Sequence, residues 1–136
     1  MGPGRLGALV SYGLLAALLG VTTFWTLRHG GPHNTLISVL TGVTAGLALL
    51  VAAAFAAGPH STIGSMAVGL NLLLSLTWNI AAQGLLLVGV VLSVTRGESV
   101  LGDDRRTWLL GAVFFLASGL HYSGVKHLNT AIDHWR

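Results

Sequence analysis

The sequence predicts an all-α protein, a four-helix transmembrane bundle with short loops and a C-terminal amphipathic helical extension. Three observations predict it. All seven basic and all four acidic side chains lie outside four long apolar stretches. Each stretch meets or approaches the roughly 20 residues that an α-helix needs to cross about 30 Å of hydrocarbon. The stretches are separated by Gly, Pro and charged residues, and together they fill most of the 136 residues. Residues 1–136 therefore read as one integral membrane domain, with no room for a separate soluble catalytic unit.

The first span, 6–27, follows Arg5 and ends near Phe24 and Trp25, an aromatic pair suited to the membrane–water boundary. Arg28 and His29 then lead into Gly30-Gly31-Pro32, which breaks any helix. The first span is long for a signal-peptide core and has no small-x-small cleavage pattern, so it is expected to stay. Asn34 or Thr35 is placed to cap the second span, 36–57, which stops at Gly58-Pro59. The third run, 66–94, is longer than a bilayer requires and must tilt, kink or start in the interface.

A charged loop follows, from Arg96 and Glu98 to Arg105 and Arg106. Asp103 or Asp104 can cap the fourth span, 108–123, where a carboxylate meets the positive end of the helix dipole. In the C-terminal segment, 124–136, Val125, Leu128, Ile132 and Trp135 recur at helical spacing. That stripe predicts an amphipathic helix lying on the membrane surface or against a partner. Four crossings would put Arg5, Lys126 and Arg136 on one side and Arg28, Arg96, Arg105 and Arg106 on the other. Three against four is too even to orient the chain.

Composition removes several function classes. The chain has no cysteine, so disulfides, thiolate metal sites and thiol redox chemistry are excluded. Its seven basic residues are scattered, unlike a nucleic-acid footprint. No carboxylate falls inside a span, so intramembrane acid–base pairs are missing and an enzyme is not expected.

Two patterns seek neighbours. Ser38, Gly42 and Gly46 recur every four residues on the second span, a small-residue face for close helix packing. Asn71, Ser75, Asn79 and Gln83 recur every four residues on the third, a polar stripe about 18 Å long. Amides facing lipid would be costly, so this stripe is expected to face other helices, water, a ligand or a solute path. Six histidines add one more pattern. His60 and His121 end spans on the same side, and two imidazoles from different helices can ligate haem iron. No metal or cofactor is required by the sequence; haem is the one candidate.

The expected function is a non-catalytic accessory or structural subunit of a larger integral membrane complex, of respiratory, photosynthetic or transport type. Its partners would be the lipid bilayer and either other membrane subunits or further copies of itself. Two alternatives stand beside it. One is a small homo-oligomeric channel or transporter using the polar track on the third span. The other is a haem-binding electron-transfer subunit built on His60 and His121.

Overall fold

The computed structural model describes residues 4–29, 34–57, 66–84, 95 and 104–135. The described chain is all-helical: α1 is Arg5–His29, α2 Asn34–Ala57, α3 Ala67–Leu76 and α4 Asp104–Trp135, with a π-helical segment, Thr77–Ala82, continuing α3. Among the described residues, three helices are long and apolar enough to cross a membrane: α1, α2, and α4 over Leu109–His134. The third apolar run is described only as far as residue 84, so its remainder lies outside the described residues. The helix ends follow the chain's punctuation. Because α2 begins at Asn34 and α4 at Asp104, the capping positions before them also fall outside the described residues.

The α1–α2 hairpin packs through residues that let backbones approach. Leu15, Leu19, Ala48, Val51, Ala54 and Phe55 are buried between the helices and their neighbours. Hydroxyls on the same surfaces are satisfied locally, as an apolar surrounding demands. Thr22 and Thr26 donate to the carbonyls of Leu18 and Thr22, each at 2.8 Å. On α2, Ser38 donates to Asn34 O at 2.7 Å and Thr44 to Leu40 O at 2.7 Å. Thr23 and Thr41 also meet each other across the hairpin at 2.7 Å.

α4 differs from expectation. The fourth span and the C-terminal segment are one unbroken helix of 32 residues, about 48 Å long. The expected surface helix is instead the far half of α4, and it lies along the beginning of α1. Leu128 and Ala131 are buried in the common core, with Ile132 packed beside them. Gly124 sits mid-helix against α1, where a Cβ would lie 3.0 Å from the Tyr12 ring and the ring would have to shift. The two helices run antiparallel. Gly4 lies against Ala131, Gly7 against His127, and Ser11 against Ser123, so each step along α1 matches one step back along α4.

Candidate functional site

α3 packs on α2, whereas its connections to α1 and α4 run through long polar side chains. These connections form a seam, and the seam is where the polar residues of the third run are spent. At its first rung, the Tyr12 hydroxyl on α1 donates to Asn71 Oδ1 on α3. One turn along, Ser75 Oγ lies 3.0 Å from His121 Nε2 on α4. At the third rung, Ser118 Oγ accepts from Trp78 Nε1 at 3.1 Å and from Gln83 Nε2 at 3.0 Å. Between α1 and α4, Ser11 and Ser123 hydroxyls are 3.1 Å apart. Trp78 is buried and stands edge-on to Phe114, with ring centroids 5.2 Å apart.

The π segment brings Gln83 to this seam. An α-helix brings residues four apart onto nearby faces, whereas a π turn bonds residues five apart. The Gln83 N–H accordingly bonds to Trp78 O. Trp78 and Gln83, five apart, therefore share Ser118 as their acceptor. The four-residue spacing predicts Asn79 on the inner face with Asn71 and Ser75, but it is exposed on the side of α3 that carries exposed Leu72 and Leu76, because residues at successive fours rotate about 40° per step. Asn71, Ser75 and Gln83 bond across the seam, Gln83 from an exposed position. Continuing the α1–α4 register places Ser118 beside Ala16, at the middle of α1, so Asn79 lies at that same level.

The small-residue face of α2 divides in a similar way. Ser38 is buried, and a Cβ on Gly42 would lie 3.5 Å from the Thr23 methyl of α1. Gly46 is exposed and has open space where a Cβ would stand. Residues at successive fours rotate about 40° per step, so a stripe that starts in an interface leaves it two steps later.

Histidine chemistry narrows on inspection. His60 lies outside the described residues, and with it the proposed haem pair. His121 is buried and its Nε2 is engaged with Ser75. His29, His127 and His134 each donate from Nδ1–H to the carbonyl four residues earlier, at 2.9, 2.8 and 2.9 Å. Among the described residues, no group of three or more His, Cys, Asp or Glu could hold a metal ion.

Ser75 and His121 have the spacing of a nucleophile and its base. Such a pair needs a group that orients the imidazole, usually a carboxylate. Asp133 lies about 18 Å along the same helix from His121. The Ser75–His121 contact links α3 to α4. Sequence reasoning missed Tyr12 and Ser118, the two residues that complete the rungs. Ser118 is three positions before His121 on the same helical face, and that spacing was the available signal. No protein-family model, curated protein or solved structure matches this chain.

Proposed function

We propose that this chain is a non-catalytic structural subunit of a larger integral membrane assembly, with the third apolar run supplying a fourth crossing. One observation carries the reading: Asn79 is exposed at the level of the middle of α1. When α1 spans a bilayer, its middle lies at the centre of the hydrocarbon, where an unpaired amide is most costly. A protein surface with its own hydrogen-bonding groups removes that cost; acyl chains do not. The interior supports the same reading. Tyr12 with Asn71, Ser75 with His121, and Ser118 with Trp78 and Gln83 use their polar groups on one another. Groups committed to internal bonds hold a bundle together and offer little to a passing solute, which counts against the transport alternative.

The test is the mass of the intact particle after extraction in mild detergent or in native lipid discs. The expected result is a particle containing more than one polypeptide. Particles made of a single chain only, under several mild conditions, would sink the proposal.

A further inference from the structure

We infer that the partner covering Asn79 is a second copy of this chain, and that the two copies meet α3 to α3 about a twofold axis along the membrane normal. This rests on the subunit reading above and names its partner. Two features of the outer side of α3 carry it. Gly69, Leu72, Leu76 and Asn79 are all exposed, and they are spaced three, four and three residues apart. That is the seam spacing of two helices packed side by side, in which one polar residue among apolar ones fixes the register. Gly69 has nothing within 4 Å of where a Cβ would stand, so a neighbouring helix can approach closely at that point.

The second feature is chemical. A carboxamide carries both a donor and an acceptor, so two Asn79 side chains related by a twofold axis satisfy each other with reciprocal N–H···O bonds. A partner of different sequence would need a matching amide or hydroxyl at the same depth. A second copy supplies it by symmetry.

The chain contains no cysteine, so a single introduced thiol reports contact without further engineering. Asn79→Cys in liposomes or native membranes, treated with a mild oxidant, is expected to give a covalent dimer of twice the chain mass. Leu49→Cys, on the exposed side of α2, is expected to stay single under the same oxidant. In detergent, Asn79→Leu should weaken self-association at least about tenfold, while Asn79→Gln, which keeps donor and acceptor, should retain it. Asn79 is exposed, so unchanged helicity by circular dichroism will show that these variants still fold. If Asn79→Cys gives no dimer while the intact particle contains other polypeptides, self-pairing is overturned and the subunit reading survives. If every particle is a single chain, both fall. Association of Asn79→Leu equal to that of the unmodified chain would also overturn the inference.

Discussion

The Arg5 guanidinium donates from Nε to the carbonyl oxygen of Phe55, fifty residues away, at 2.6 Å, and from Nη2 to Ala56 O at 3.0 Å. The last carbonyls of a helix have no partner within it and carry the negative end of its dipole. Arg5 fills that role for α2 from the first turn of α1, so one side chain closes the α1–α2 hairpin at its open end. Two charge-assisted bonds in a half-buried setting are worth about 1–3 kcal/mol together once solvent screening is considered. Arg5→Leu should lower the unfolding free energy in detergent by about that amount. Arg5→Lys should recover only part, because an ammonium cannot present the fixed fork that reaches two carbonyls at once. Denaturant titration followed by far-UV circular dichroism measures both.

Close approach between α1 and α4 gives a second expectation. A Cβ on Gly7 would collide with the His127 ring, which its bond from Nδ1–H to Ser123 O holds in place. Gly7→Ala therefore has to break that bond or push α4 away, at a cost of about 1–3 kcal/mol. Gly13 lies on the same helix with nothing within 4 Å of a Cβ. There, Gly13→Ala should be neutral or stabilise by a few tenths of a kcal/mol, about 1 at most, by restricting the unfolded chain. The difference between the two variants, read as unfolding midpoints under one condition, checks the contact itself. Equal midpoints would contradict the packing of α1 on α4 at this level.

The helices were legible because charge is excluded from apolar runs and Gly-Pro turns separate them; α1 and α2 end within two residues of those runs. That Asn71, Ser75 and Gln83 bond to a neighbouring helix was legible for a related reason, since amides and hydroxyls among leucines need partners. Three things were hidden. A π turn leaves no mark in composition, so nothing local shows that Trp78 and Gln83, five residues apart, meet one acceptor. The more polar sequence after Ser123 reads as the end of a span, although the helix continues and Gly124 packs on the Tyr12 ring. Arg5 reads as a topology signal, and its part as a cap for α2 depends on a hairpin geometry that local sequence does not encode. Each of the three depends on which helix lies opposite, a relationship between distant residues rather than a local pattern.

Ser118 provides the most direct check on the seam. Its single oxygen accepts from both Trp78 Nε1 and Gln83 Nε2, so both of its lone pairs are occupied. Ser118→Ala removes one small hydroxyl but strands two donors, one of them on a buried indole. The expected loss is about 1–3 kcal/mol, more than the typical 0.6 kcal/mol of a single side-chain bond between membrane helices. Gln83→Leu alone should cost less than about 1 kcal/mol, because Gln83 is exposed and Ser118 keeps its bond with Trp78. The double variant should lose less than the two single losses combined, since the Gln83 donor is then no longer there to be stranded. A double-mutant cycle reads this as a coupling free energy of about 0.5 kcal/mol or more. Strict additivity would mean that Gln83 does not reach Ser118, and that the π segment does not set the two side chains five residues apart on one acceptor.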